Sequence, residues 1–315
     1  MSTTRRIYRG AAFGLIAALS LTACGGGSDS DSNPLTGDSG DSGGKGKTIV
    51  VGSANFPENQ LLAEIYAQAL EAKGLKVTRK FDIGAREVYY DQIVKGGIGV
   101  FPEYNGALLS VAVDKKSTAT STEQVNADLK AKLPASVEIL DSAAAEDKDS
   151  VSVTAETAAK YKLKTLADLK SVAKNLTLGA GSEFKTRTQG WIGLNSVYGV
   201  EFGKFQPLDA GAQTTLVKLL KSNQVQAANL YTTDPAIVED KLVVLEDPKH
   251  LFSSQNVTPL VYKSAVNDTA KAALNGVSAK LTTADLLEMM KKLVDDKEDS
   301  STVAKEWLKS AGLVS

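Results

Sequence analysis

The sequence predicts an α/β protein built from open sheets, and two observations lead to this fold class. Short β-branched runs alternate with segments in which apolar residues recur at helical spacing, near the start of the folded part. Strand, helix, strand, helix, strand is typical of βαβ units. A second series of the same kind follows an irregular, Ala/Asp-rich stretch at about residues 141–150. Because open α/β sheets bind ligands at the carboxyl ends of their strands, we expect the functional site there.

The first unit follows from local patterns. Its opening helix is predicted to begin at Pro57, which suits a first helical turn, and to end before Gly74, which suits a helix terminus. The segments on either side are β-branched or alternate apolar with polar residues. The predicted elements are strands at residues 47–53, 75–81 and 98–101 and helices at about 57–73 and 85–95.

The second unit is predicted in the same way, after a helix at about residues 123–133. Helical spacing near the C-terminus places the last helices after residue 262. This order fits one elongated domain, or an outer domain that returns after an inserted one. The predicted elements are strands at 151–153, 176–179 and 242–245 and helices near 166–170, 191–198 and 212–221.

Residues 1–23 have the pattern of a secretory signal peptide. Three arginines precede an apolar run at residues 11–21 that is too short to span a bilayer. Leu-Thr-Ala before Cys24 resembles the lipobox of bacterial lipoproteins, in which the cysteine receives a diacylglyceryl chain. Cys24 is the only cysteine, so it cannot form an intramolecular disulfide. We therefore predict a lipidated Cys24 rather than a buried core cysteine.

Residues 24–46 are predicted to form a flexible tether. They consist largely of Gly, Ser and Asp and contain too little apolar surface to offset the entropy of ordering. The lipid would be the only membrane attachment, since no second apolar run is long enough to cross a bilayer. We expect the folded part at the extracytoplasmic face of a bacterial cell membrane.

The composition favours binding over catalysis. The formal net charge is -1 and no basic stripe is present, which argues against a nucleic-acid partner. With one His and one Cys, the chain supports no zinc site, thiol nucleophile or Ser-His-Asp triad. His250 lies in a predicted loop. We therefore predict no metal, no cofactor and no enzymatic activity.

Several motifs occur in order after the tether. In the first half they are Gly-Ser-Ala-Asn-Phe-Pro-Glu at 52–58, Arg-Glu-Val at 86–88 and Pro-Glu-Tyr-Asn-Gly at 102–106. In the second half they are Gly-Ser-Glu-Phe-Lys-Thr-Arg at 181–187, Tyr-Thr-Thr-Asp at 231–234 and Asn-Val-Thr-Pro-Leu-Val at 256–261. Together these motifs resemble the osmoprotectant-binding proteins of ABC importers, which capture glycine betaine, choline or carnitine.

The resemblance implies a two-lobe periplasmic-binding-protein fold of a type II-like kind. Each lobe would be an open α/β sheet, and a hinge of two chain crossings would join them. The first lobe would comprise residues 47–150 and 256–315, and the second residues 151–255. The implied partners are a small ligand and the ABC permease subunits, with the binding protein itself a monomer.

The resemblance also implies site residues. Family members hold a quaternary ammonium among tyrosine faces and fix a ligand carboxylate with charged donors. Tyr104 and Tyr231 match two tyrosines of this cage. Arg187 matches a carboxylate-binding arginine, Glu183 an acidic wall residue and Asp149 a polar wall residue.

The chain departs from the family pattern at other cage positions. Val151 and Gln255 stand where cage residues are expected, and small residues occupy two further positions, Ala54 and Ala107. An incomplete cage favours a ligand with its own hydrogen-bonding groups. A different small zwitterionic or polar metabolite is therefore the alternative ligand, and a surface sensor or an enzyme on the same architecture the alternative function. The further candidates for ligand contact are Asn55, Gln255 and Asn256.

Four candidates have ordinary structural alternatives. Tyr104 and Tyr231 have the alternative of half-buried tyrosines with satisfied hydroxyls. Arg187 has the alternative of a surface ion pair with Glu183. Asn55 has the alternative of capping its helix, with or without facing the cleft.

Overall fold

A computed structural model describes residues 47–209 and 211–315. The predicted signal peptide, Cys24 and tether lie outside the described residues. The strands are β1 Ile49–Gly52, β2 Val77–Lys80, β3 Val100–Tyr104, β4 Val137–Ile139, β5 Asp149–Val153, β6 Thr177–Gly181, β7 Lys204–Leu208, β8 Ala227–Tyr231, β9 Val243–Val244 and β10 Val257–Tyr262.

Helices connect and cover these strands. A π-helical turn at Leu109–Val113 follows the third helix, and short 3₁₀ turns include Leu166–Ser171 and Ser182–Lys185. The α-helices are α1 Pro57–Glu71, α2 Arg86–Val94, α3 Asn105–Leu108, α4 Thr122–Lys132, α5 Ala155–Tyr161, α6 Trp191–Tyr198, α7 Gln213–Lys221, α8 Ala236–Glu239, α9 Asp268–Ser278, α10 Thr283–Val294 and α11 Ser300–Ser310.

The strands form two five-stranded sheets. The first has the order β2-β1-β3-β10-β4, and the second has the order β7-β6-β8-β5-β9. Neighbours β1, β2 and β3 run parallel, as do β6, β7 and β8, while β10 and β5 are antiparallel to their neighbours. We call the first sheet with its helices the first lobe and the second sheet with its helices the second lobe. The predicted two-lobe α/β fold class is confirmed.

Two crossing segments join the lobes, at residues 140–148 and 245–256. They pair with each other, since the Asp147 N–H donates to Gln255 O at 3.2 Å. An isolated bridge also pairs Glu146 with Asn256. The predicted lobe boundaries, including the division at residue 150, stay a prediction.

Helix α1 is the central helix of the first lobe. Leu61, Leu62, Ile65 and Leu70 are fully buried, because α1 lies between the first sheet and the C-terminal helices. Trp307 of α11 belongs to the same core. No helix in the described part of the chain is long and apolar enough to cross a membrane.

Some elements differ from those predicted. Strand β3 extends to Tyr104, and the helix predicted near residues 166–170 is a 3₁₀ turn. Strand β7 was not predicted, because its sequence Lys-Phe-Gln-Pro-Leu has a proline and lies at an exposed sheet edge. Strand β4, of three residues, is too short to give a pattern.

Candidate ligand-binding site

The carboxyl ends of four parallel strands meet at a cavity between the lobes. Residues that follow β1 and residues at the end of β3 line it from the first lobe, and residues after β6 and at the end of β8 line it from the second. Asp149 reaches it from β5, where Asp149 pairs with Tyr231 across the antiparallel ladder. The cavity has a volume of about 40 Å³.

Seven of the eight predicted site residues line this cavity. Asn256 does not, because its side chain is bonded within the crossing segments. Its amide donates to Ala143 O at 3.0 Å, and its oxygen accepts from the Thr122 and Ser254 hydroxyls at 2.7 and 2.6 Å. Val151 is fully buried in the second-lobe core and does not line the cavity. The seven lining residues are Asn55, Tyr104, Asp149, Glu183, Arg187, Tyr231 and Gln255.

Phe56 adds a third aromatic ring to the two predicted tyrosines. Its ring centroid lies 5.4 Å from that of Tyr231 and 6.1 Å from that of Tyr104, with interplanar angles of 30° and 29°. Phe56 therefore stacks between a tyrosine of each lobe. The prediction missed it, although it lies inside the motif at residues 52–58. The sequence signal for a cavity residue was the place of Phe56 between strand β1 and Pro57, the first residue of helix α1.

Both tyrosines remain neutral phenols at physiological pH. The Tyr104 hydroxyl donates to Glu58 Oε1 at 2.7 Å, and burial together with the nearby charge of Glu58 raises the pKa of Tyr104 well above its usual value. Burial, followed by the charges of Asp149 and Glu183, raises the pKa of Tyr231. Neutral rings keep the negative faces that attract organic cations.

Arg86 and Arg187 place two guanidinium groups at the cavity. Arg86 donates to Glu103 in a buried bidentate pair, with Nη2 2.8 Å from Oε2. Burial opposes the charge on Arg86, but the Glu103 carboxylate outweighs it, and the pKa of Arg86 is raised. Arg86 was not predicted as a site residue. The motif at residues 86–88 was the signal for it.

Arg187 forms an ion pair across the cleft. It donates to Glu87 at 3.1 Å, so the predicted alternative of a pair with Glu183 is wrong. Burial and the neighbouring Arg86 guanidinium oppose its charge, and the Glu87 carboxylate outweighs them, so the pKa of Arg187 is raised. The same pair lowers the pKa of Glu87 against the effect of burial. Two cations thus stay charged at one side of the cavity.

Acidic and amide side chains line another part of the cavity wall. Asp149 accepts from Asn229 Nδ2 at 3.0 Å and from Gln255 Nε2 at 3.4 Å. Glu183 lies half-buried on the 3₁₀ turn after β6. This arrangement offers hydrogen-bond acceptors and an amide where a full aromatic cage is absent.

Asn55 bridges the lobes instead of capping helix α1. Its Nδ2 donates to Asp209 Oδ1 of the second lobe at 2.9 Å, and its Oδ1 is buried with no hydrogen-bond partner among the described residues. Phe56 occupies the N-cap position, and no side chain caps the helix there. The predicted capping role of Asn55 is therefore wrong.

A second cavity of about 250 Å³ lies on the other side of Phe56, Tyr231 and Asp147, which line both cavities. Its walls come from α7 and α8 of the second lobe and from the end of α10 in the first lobe. Glu58 lies in its wall beside Asp147. No group of three or more His, Cys, Asp or Glu side chains in residues 47–209 and 211–315 is arranged to hold a metal ion.

Three aromatic rings, two guanidinium groups and a carboxylate wall therefore meet in one cavity shared by two lobes. Aromatic faces suit an organic cation, and a guanidinium suits a carboxylate. The arrangement is suited to holding a small molecule that carries both charges.

Comparison with known proteins gives consistent matches over the whole folded part. Residues 47–310 match the family model described as the substrate binding domain of ABC-type glycine betaine transport system. The chain is similar to the glycine betaine-binding protein YehZ of Escherichia coli (strain K12), at 27% identity over 276 residues, which are 84% of this chain and 90% of that protein.

Two further matches are a relative found by sequence and a solved structure of similar fold. The chain is 23% identical over 271 residues to the ergothioneine transport permease/ergothioneine binding protein EgtU of Helicobacter pylori (strain G27), covering 85% of this chain and 48% of that protein. It is similar in fold to a crystal structure of a glycine betaine/carnitine/choline ABC transporter, with a TM-score of 0.65 and 22% identity over 84% of this chain and 99% of the other.

Proposed function

Because the chain belongs to the family of substrate-binding domains of ABC-type glycine betaine transport systems, we propose that it captures a quaternary-ammonium osmoprotectant between its lobes. The ligand would be of the glycine betaine, choline or carnitine type. The protein would deliver it to the permease subunits of an ABC importer as a monomer, without chemistry of its own.

The observation that carries this proposal is the stack of Tyr104, Phe56 and Tyr231 beside the Arg187 guanidinium in one cavity. Each aromatic face contributes about 0.5 to 2 kcal/mol to the binding of an organic cation, depending on desolvation. Arg187 would hold a ligand carboxylate by charge-assisted hydrogen bonds. The ammonium would lie against the rings, where Glu183 and Asp149 add attraction for its positive charge.

Calorimetric titration with glycine betaine, choline and carnitine tests the proposal, on the purified protein and on Tyr231→Ala. We expect one of the three to bind and the substitution to weaken that binding. Tyr198→Phe is the matched control, because Tyr198 belongs to the second-lobe core and does not line the cavity. A folded protein that binds none of the three would refute the proposed ligand class.

A second candidate ligand is a small zwitterion with its own hydrogen-bond donors. It is favoured by the Asp149 carboxylate at the cavity wall, which accepts hydrogen bonds from the amides of Asn229 and Gln255. A trimethylammonium group has no N–H to give to such acceptors. Titration with sarcosine and N,N-dimethylglycine beside glycine betaine separates the candidates, because tighter binding of the N–H ligands would favour the second.

The family acts outside the cytoplasm, and we propose that lipidated Cys24 and the tether at residues 24–46 keep this member at the membrane. Cys24→Ser tests the attachment. We expect the unmodified protein in the membrane fraction and the variant in the soluble extracytoplasmic fraction. Equal membrane association of both would refute the lipid anchor.

A further inference from the structure

Glu58 and Asp147 are two buried carboxyl groups at the contact between the lobes. Each residue is 2% exposed. Glu58, in the first turn of α1, accepts from the Tyr104 hydroxyl at 2.7 Å and from the Thr233 hydroxyl of the second lobe at 2.5 Å. Parting of the lobes would break the bond to Thr233, because the two residues belong to different lobes.

Asp147 lies in the first crossing segment and binds the same part of the second lobe. Its Oδ1 accepts from the Thr233 N–H at 3.1 Å and from the Thr232 hydroxyl at 3.3 Å. The two carboxyls therefore meet at Thr233, whose hydroxyl binds Glu58 and whose N–H binds Asp147. Two carboxylates held close together in a buried site repel each other, which favours a proton on one of them.

The hydrogen bonds assign that proton to Asp147. Each Glu58 oxygen already accepts from a hydroxyl, which stabilises a carboxylate. Burial, followed by the negative charge of Glu58, raises the pKa of Asp147 well above its usual value. Burial also raises the pKa of Glu58, against the hydrogen bonds from Thr233 and Tyr104.

The surrounding charges do not neutralise the pair directly. Among the described residues, the polar partners of the two carboxyls are hydroxyls and an N–H rather than a Lys or Arg side chain, and the charge of Asp149 raises the pKa of Asp147 further. Across the first cavity Asp147 faces Arg86, Arg187, Glu183 and Asp149, together with the neutral phenol of Tyr231.

Both signs of charge also face the pair across the second cavity. Asp234 follows Thr233 in the wall, and Lys221 is already paired with Asp240. The remaining charged groups of this cavity are Lys218, Glu239, Asp295 and Lys297.

We propose that Asp147 and Glu58 hold one shared proton when the lobes are together and release it when they part, so that ligand capture takes up a proton. The inference concerns the regulation of the proposed function and rests on that function for its ligand. Glu58 also positions a residue of the cavity wall, because its carboxylate accepts the hydrogen bond from the Tyr104 hydroxyl.

The direction of the pH dependence follows from the two states. In parted lobes the carboxyls are solvated, and their pKa values return toward about 4. Between that value and the raised pKa of the closed state, only the closed state keeps the proton. Closure therefore weakens as the pH rises through this window, by up to about tenfold for each pH unit for one proton.

Asp147→Asn is the decisive variant, because an amide keeps a donor toward Glu58 and an acceptor for the Thr233 N–H but does not titrate. Affinity for glycine betaine, choline and carnitine is measured by calorimetry between pH 5 and pH 8. We expect the affinity of the unmodified protein to fall by up to about tenfold per pH unit in this range. The affinity of Asp147→Asn should change little with pH.

Two matched variants should keep the slope of the unmodified protein. Asp141→Asn removes an exposed carboxyl in the same crossing segment, and His250→Asn removes the only histidine, which lines neither of the two cavities. A flat affinity of the unmodified protein over this range would overturn the inference. So would an Asp147→Asn slope equal to that of the unmodified protein.

A measurement without ligand separates this inference from the proposed function. Small-angle X-ray scattering at pH 5 and pH 8 should show a larger radius of gyration at pH 8 for the unmodified protein and no change for Asp147→Asn. If none of the three ligands binds, the proposed function fails, and the scattering still decides the inference. Equal radii at both pH values for the unmodified protein would overturn it.

Discussion

The Arg187 guanidinium of the second lobe lies 3.1 Å from the Glu87 carboxylate of the first lobe, 100 residues away in the sequence. Arg187 lines the ligand cavity as well. One side chain thus takes part in both the lobe contact and the wall that would hold a ligand carboxylate, and substitutions at the two partners separate these roles.

Arg187→Gln should discriminate between ligands with and without a carboxylate. A hydrogen bond to a charged group is worth about 1.5 to 3 kcal/mol, so glycine betaine affinity should fall by about 10- to 150-fold. Choline affinity should fall less, because choline has no carboxylate. Glu87→Gln breaks only the lobe contact and should weaken both ligands alike. Equal losses for both ligands in Arg187→Gln would contradict a carboxylate-binding role.

Phe56→Leu should weaken quaternary-ammonium binding while leaving the fold intact. The substitution keeps an apolar side chain and removes the stacked ring, with an expected loss of about 2- to 30-fold in affinity for one cation–π contact. Phe205→Leu is the control, since Phe205 packs on Trp191 in the second lobe. Calorimetry checks both variants. Unchanged affinity in Phe56→Leu would show that this ring does not face the ligand.

Glu103→Gln should strongly lower the free energy of unfolding. The Arg86–Glu103 pair is buried, with side-chain exposures of 8% and 0%, and loss of one charge leaves the other uncompensated. The expected cost is about 3 to 5 kcal/mol in urea unfolding. Glu71→Gln breaks a more exposed pair with Arg79 and should cost no more than about 1 kcal/mol. Similar costs for the two variants would contradict this difference.

Gly106→Ala should disturb the contact between α3 and the second crossing segment. A Cβ atom at Gly106 would lie 2.1 Å from the Ser254 carbonyl oxygen, so the backbone must shift, at a cost of about 1 to 3 kcal/mol. Gly276→Ala in α9 meets only a Leu313 methyl at 3.6 Å and should stabilise by about 0.5 to 1 kcal/mol. Thermal unfolding checks both variants, and the melting temperature should fall for Gly106→Ala and rise for Gly276→Ala.

Much of the fold could be predicted because its helices and strands follow from local sequence patterns. Helix α1 could be predicted from Pro57 at its start and from the regular spacing of its apolar residues, which are buried in the core. Edge strand β7 could not be predicted, since its residues are exposed or half-buried and include Pro207. Motif matches also placed Tyr104 and Tyr231 at one cavity.

Local patterns and motif matches were enough to predict the fold class, the family and half of the residues that line the cavity. The contacts between the lobes could be found only in the folded chain: Arg187 with Glu87, Asn55 with Asp209, and Glu58 with Thr233, which is 175 positions away. This follows because periodicity and turn chemistry depend on neighbours in the chain, whereas each of these pairs exists only where the two lobes meet.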